Sequence, residues 1–350
     1  MQFLEEVPLA PYTTFQIGGP ARWFAEAASE DDIAAGFAFA AERKLPLFIL
    51  GGGSNLLVSD SGFSGLVLRI ALRGIRSTEE SGRSIISAAA GEDWDGLVAY
   101  AVAAGLAGVE CLSGIPGTVG GTPVQNVGAY GQEVSQTIVT VRAFDRKTLQ
   151  FLDLAASDCG FSYRRSIFNS SQRDRYVVSR VHYALRKDAP ANFVYADVAR
   201  YFAARNVTAP TLAEVREAVR SIRAQKGMLL MTGDADCRSA GSFFKNPVVS
   251  ASVVDSLARD LRVDKQSIPA YPAPQGEVKL SAAWLIERAG FAKGYALGNA
   301  GISSRHTLAL INRGGASASE VTALRDQVIA AVASRFAVRL EPEPVWLGPA

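Results

Sequence analysis

The spacing of apolar and polar positions divides the chain into helical and extended stretches. In SEDDIAAGFAFAAERK (29–44), Ile33, Phe37 and Ala40/Ala41 share one face at helical spacing. Ser29 supplies an N-cap and Asp32 completes a capping box. LPLFIL (45–50) reads as a strand, and LLVS and GLVLRI after it are apolar, β-branched and punctuated by glycine, as strands are. SIISAAAG (84–91) is another, after which Asp93 caps a helix through about Ala104. Residues 138–153 alternate like a hairpin, 175–185 form a further strand, and 211–223 run from acidic to basic along an amphipathic helix. The polar, glycine-containing break at 227–239 marks a domain boundary or a mobile loop. Beyond it the pattern predicts helices over 278–290, ended by Gly290, and over about 319–335, with the strand TLALIN between them. The chain finishes on a proline-pinned strand, AVRLEPEPVWLG (337–348).

A length of 350 residues allows two or three domains. A net charge of +2, with no run of five basic residues, argues against a nucleic-acid partner. Three scattered cysteines fit reduced thiols in a cytosolic protein better than a disulfide framework. With His182 and His306 the only histidines, no metal centre is expected. The first residues lack the basic start and apolar stretch of a signal peptide, and no uninterrupted apolar window is long enough to span a membrane.

Two uncharged glycine-rich segments remain, GGGSN (51–55) and GIPGTVGGTPVQNVGAYG (114–131). The first opens onto a strand, unlike a Rossmann turn, and lacks the Gly-Lys-Ser/Thr of a Walker A loop. Its N–H groups still converge as an anion-binding nest. Turn formation accounts for either segment alone; the pair suggests one long ligand lying against backbone. Gly53, Ser54 and Asn55 would hold a pyrophosphate, and Gly117, Gly120, Gly121 and Gly128 would admit a flat, largely apolar ring.

At this point the chain resembles the UDP-N-acetylenolpyruvoylglucosamine reductase family, in its subclass with a substrate-capping tyrosine loop. The resemblance lies in YTTFQIGGPA (12–21), LGGGSNLLVSD (50–60), LSGIPGTVGGTPVQNVGAYG (112–131), FSYRRSIF (161–168), AGSFFKNP (240–247), AAWLIERAG (282–290) and LEPEP (340–344). The first three would suit more distant flavoproteins as well; the last four, in this order, are specific. The resemblance implies an α+β fold: a two-subdomain FAD-binding domain of the PCMH/vanillyl-alcohol-oxidase type and a C-terminal α/β substrate-binding domain. Its expected divisions are 1–70, 71–225 (with the tyrosine loop), 226–337 and a final strand 338–350. It implies FAD, with the pyrophosphate at Gly51, Gly52, Gly53, Ser54, Asn55 and Leu56. The isoalloxazine is expected near Ser113, Ile115, Pro116, Gly117, Thr118, Gly120, Gly121, Asn126, Gly128, Ala129 and Tyr130. No histidine precedes His182, so the FAD-binding half offers no histidyl tether there and the flavin is expected to be non-covalent.

The implied reaction passes hydride from NADPH, by way of the flavin, to C3 of the enolpyruvyl group of a UDP-sugar. Charge then develops at C2, and one proton must be delivered there. Arg164 matches the arginine that holds the substrate carboxylate, with Arg165 turned away as a surface residue by strand alternation. Ser242 matches the proton donor, and Glu343 the carboxylate that assists at the same carbon, with Glu341 as its rival. Tyr195 matches the capping tyrosine, though packing beside Phe193 is the alternative reading. Lys226 and Asn246 match positions at the diphosphate or sugar, and His306 one near the substrate, with a satisfied structural histidine as the alternative reading. Ser239-Ala240 departs from the GNAG that often precedes the serine, which bears on the local loop geometry. The resemblance implies a cytoplasmic monomer. The competing classes are another FAD oxidase or dehydrogenase on the same fold, and a flavin-binding regulator without turnover.

Overall fold

Local capping chemistry starts the first helix where the pattern placed it. In the computed structural model, which describes residues 1–80 and 82–349, the Ser29 hydroxyl accepts from Asp32 N–H at 3.1 Å and Asp32 accepts from Ser29 N–H at 3.0 Å. The helix Glu30–Glu42 buries Ile33 completely. A Cβ at Gly36 would stand 2.7 Å from Leu68, so the bare glycine lets the helix lie close on its sheet. That sheet runs in the order Phe3–Pro8, Pro20–Ala27, Phe63–Ile70, Leu47–Leu50, the last three strands parallel.

The same unit holds a second sheet, antiparallel, in the order Gln150–Ala155, Ile138–Asp145, Tyr176–Lys187, Arg83–Ala89, Ile75–Glu80. Its inward residues include Val141, Val181 and Ala88, which are opposite one another and fully buried. The Asp93 side chain accepts from Gly96 N–H at 2.7 Å and starts the helix Trp94–Ala103, whose Trp94 is buried with its ring N–H donating to Leu112 O at 3.1 Å. This unit comprises Met1–Pro8, Pro20–Gly53 and Phe63–Leu230.

The other unit is Leu9–Gly19, Ser54–Gly62 and the chain from Met231 onward. The break thus falls inside the predicted 227–239 stretch, but the unit also takes two segments that a linear division gives to the first FAD-binding subdomain. Val345–Leu347 explains why: it pairs in parallel with Leu56–Val58, so the final strand is not a separate piece. In the helix Ala318–Phe336, Val321, Leu324, Val328 and Val332 form a fully buried stripe. Asp60 accepts from Ala318 and Ser319 N–H at that helix's start, at 2.6 and 3.0 Å.

Two expectations need correction. The helix predicted over 278–290 begins only at Ala282. Glu277–Leu280 is instead a central strand between Val248–Ser250 and Ala270–Pro272, and Ser281 caps the shortened helix Ala282–Arg288. The long C-terminal strand is confined to Val345–Leu347. Val338 and Leu340 are buried while Arg339 and Glu341 are exposed, as alternation requires. Pro342 and Pro344, however, bring no N–H to a ladder, and only an isolated bridge joins Phe244 to Pro342.

Candidate functional site

The two glycine segments press first on the protein itself. A Cβ on Gly52 would stand 2.6 Å from Gly117 Cα, and one on Gly120 would stand 2.6 Å from Ala90 Cβ. At Gly52 and Gly120 side chains are missing because chain packs on chain, which corrects the idea that a ligand alone demands the bare backbone. Gly121 is different: it is exposed, and a Cβ there would meet nothing within 4 Å. The tract is rigidly held beside that opening, with Trp94 N–H donating to Gly117 O and Gly120 N–H donating to Ala90 O. An open shelf on a fixed, uncharged main chain fits a flat flavin ring. Gly121→Ala should therefore leave apoprotein stability within about 0.5 kcal/mol while weakening FAD binding severalfold, read by thermal melting and flavin titration.

The start of the tract is gripped by charge. Gly114 N–H donates to Asp95 at 2.6 Å, and Arg223 Nε donates to Gly114 O at 3.0 Å. Asp95 also accepts both ends of the Arg216 guanidinium, at 2.6 and 2.9 Å, and Arg220 at 2.5 Å. Burial opposes the Asp95 charge, but these donors outweigh it and hold the carboxyl below its usual range. Sequence reasoning missed this hub. Its signal was present: Arg216, Arg220 and Arg223 recur at helical spacing on Leu212–Gln225.

Arg164 belongs to the same unit and sits beside the tract, donating through Nη2 to Gly128 O at 2.8 Å. It lies in a tight turn closed by mutual Ser162–Arg165 backbone bonds, with φ 55°. Arg165 is exposed, but the turn, and not strand alternation, separates the two arginines. The Asn126 side chain is engaged by the protein: its NH2 donates to Glu133 and Ser162 O, and its oxygen accepts from Ser135 N–H. Tyr195 is 45 % exposed and packs edge-on against Tyr130, with centroids 5.5 Å apart, so it is not a core residue. Phe193 packs separately, on Phe202. Lys226 pairs with Asp197 at 2.6 Å and lies 5.9 Å from the Tyr130 ring centroid.

In the other unit, Gly241 (φ 72°) leads into Ser242, whose Oγ is 3.4 Å from His306 Nε2. Ser239, the departure noted above, accepts from Gly241 N–H at 3.2 Å and so helps fix this approach. Phe243, the serine's neighbour, is held on both sides: its N–H donates to Leu308 O at 2.7 Å, and its carbonyl accepts from Glu343 N–H at 2.8 Å. Phe243 and Phe244 are both buried. The two glutamates separate clearly. Glu341 is exposed and paired with Lys245 at 2.6 Å, whereas Glu343 is half-buried, with its carbonyl accepting from Asn55. Asn246 accepts from Ala282 N–H at 2.9 Å, a helix-start contact.

His306 rides on a turn that sequence reasoning did not explain. Its N–H donates to the buried Ser303 hydroxyl at 3.2 Å, and its carbonyl accepts from Ala309. Asp236 accepts from Ser304 N–H and from Arg305 Nε, both at 2.9 Å, while Arg305 also bonds Asp234. Nothing in the spacing of 234–236 and 303–309 announces this long-range lock.

Among the described residues, no group of three or more His, Cys, Asp or Glu side chains is placed to hold a metal, and no helix is long and apolar enough to cross a membrane. Cys111, Cys159 and Cys237 are free and buried. Burial, helped by nearby carboxylates, pushes the Cys111 thiol up to about 12 and the Cys159 thiol to about 11.

Residues 21–148 match an FAD binding domain, and residues 233–347 match the UDP-N-acetylenolpyruvoylglucosamine reductase C-terminal domain. The enzyme of that name from Thermobifida fusca is 48% identical over 99% of this chain and 98% of its own. That from Streptomyces coelicolor is 46% identical over 99% and 91%. A crystal structure of the reductase from Thermus caldophilus superposes with a TM-score of 0.64 at 25% identity, covering 99% of this chain and 98% of the other. With both domains matched and near-half identity sustained from end to end, the chain belongs to the UDP-N-acetylenolpyruvoylglucosamine reductase family.

Proposed function

We propose that this chain is an NADPH-dependent flavoenzyme that reduces the enolpyruvyl group of UDP-N-acetylglucosamine enolpyruvate to give UDP-N-acetylmuramate for peptidoglycan synthesis. The observation that carries this reading is Ser242, its Oγ 3.4 Å from His306 Nε2 and its neighbour Phe243 bonded to Leu308 and Glu343, within the domain matched to that reductase. FAD, when bound non-covalently, supplies the hydride chemistry. The residues around it bind, polarise and move one proton. Arg164, always charged and planar, receives the substrate carboxylate into which the C2 charge delocalises. Ser242 delivers a proton to C2, and Glu343 assists at that carbon. Tyr195 and Lys226 hold the diphosphate end, with Asn246 and His306 nearer the sugar and the reacting group. The same reading makes the protein a cytoplasmic monomer without nucleic-acid or membrane partners.

The test is anaerobic. NADPH should bleach the yellow protein, and the enolpyruvyl substrate should restore its colour with formation of UDP-N-acetylmuramate. Bleaching without that recovery would point to a different acceptor and sink the reading. The two glutamates give a sharper expectation. Glu343→Gln should slow the recovery at least about a hundredfold, while Glu341→Gln, losing only an exposed ion pair, should stay within about a factor of two.

A further inference from the structure

We infer that His306 is a proton relay for Ser242: the proton that reaches C2 starts on the imidazole and passes through the serine hydroxyl. The inference rests on the function proposed above. Reduction by NADPH supplies one hydride, and the second hydrogen must come from solvent as a proton. A serine hydroxyl is a weak acid, so its proton leaves readily only if another arrives as it goes. His306 Nε2, 3.4 Å from Ser242 Oγ, is placed to send it. Catalytic hydrogen bonds are often this long before substrate binds.

The step balances. As C2 takes the hydroxyl proton, the Ser242 O–H bond breaks and the carbanionic electron pair becomes the new C–H bond. The serine oxygen takes the Nε2 proton, leaving a neutral imidazole. His306 is half-buried and regains a proton from water, and the neighbouring Phe243 and Phe244 are buried. Imidazole is the side chain whose ordinary titration lies near neutrality.

The surrounding structure fixes the pair. Phe243 is bonded to Leu308, two residues beyond His306, and Ser303 and Asp236 hold the other side of the turn. The titratable and charged groups on the elements about the turn include Arg305, Asp234, Asp236, Cys237, Arg238, Arg313, Glu287 (bonded to Thr307) and Glu343 (its N–H bonded to Phe243). Burial raises Asp234 and Asp236, but bonds from Arg305, Ser304 and neighbouring N–H groups win and hold both below the usual range. Both stay ionised from pH 5 to 8, each paired with Arg305.

The test uses His306→Gln in the FAD-loaded protein, since glutamine can hydrogen-bond but cannot carry a proton across. Bleaching by NADPH should be unchanged. Reoxidation of the pre-reduced protein by the enolpyruvyl substrate should slow about 10- to 100-fold, mainly in kcat. In the wild type that rate should fall as rising pH removes the imidazolium proton; the variant should lose this dependence. A wild-type rate and pH profile in the variant, or a loss confined to KM, would overturn the relay while leaving the proposed function standing. Failure of the wild-type reduced protein to react with this substrate would instead overturn the function. If the glutamine variant does not fold, as judged by flavin content and melting, His306→Asn carries the same measurements.

Discussion

Ser242→Ala should slow the second half of the proposed reaction severely and spare the first. NADPH should bleach the variant's flavin at the wild-type rate, because no proton reaches carbon in that half. Reoxidation by the enolpyruvyl substrate should fall by about 10² to 10⁴, the usual worth of a positioned acid. The contrast is sharp because the residue after Ser242 is pinned on both sides, to Leu308 and to Glu343, so removing one hydroxyl should not move the backbone. Anaerobic stopped-flow absorbance separates the halves. Equal losses in both would make Ser242 structural and end its role as donor.

Gly52→Ala should damage the FAD-binding domain itself. The added methyl would sit 2.6 Å from Gly117 Cα and 2.9 Å from its carbonyl carbon, and main chain cannot swing aside as a side chain can. Relief requires the turn and the tract to part, at a cost of about 1–3 kcal/mol, and the separation spoils the shelf beside Gly121. The melting temperature should drop and the protein should be isolated largely colourless. Gly121→Ala is the control, changing flavin affinity with little change in melting. A yellow, wild-type-stable Gly52→Ala protein would show that the two main chains do not need this close approach.

What could be read in advance followed the range of the interaction. Ser29 and Asp93 announced their helices because a cap and its partner lie within one turn of chain, whereas the helix after Thr211 was read from its charge pattern and its capping box was missed. The helix over about 319–335 was also visible, but its buried stripe of Val321, Leu324, Val328 and Val332 was not singled out. Glu277–Leu280 was misjudged as helix because its apolar residues merge into the pattern of Ala282–Arg288, and only pairing with two distant strands makes it extended. At the site, Ser242, Arg164 and Glu343 were named through matched motifs, and residue type supplied their chemistry. Their supports were hidden. Asp95 meets Arg216 and Arg220 only after folding, and Asp236 meets Ser304 and Arg305 likewise. Gly52 was read as part of a pyrophosphate-holding turn; that Gly117 packs against it is a fact of tertiary structure.

The parallel pairing of Val345–Leu347 with Leu56–Val58 has a consequence for how the chain is made. Leu56–Val58 is made well before its ladder partner Val345–Leu347. Until that partner emerges, the short apolar segment presents unmatched amide and carbonyl groups to whatever passes. A chain cut before Val345 would lack this pairing for good, so the unit is completed only by its most distant contact.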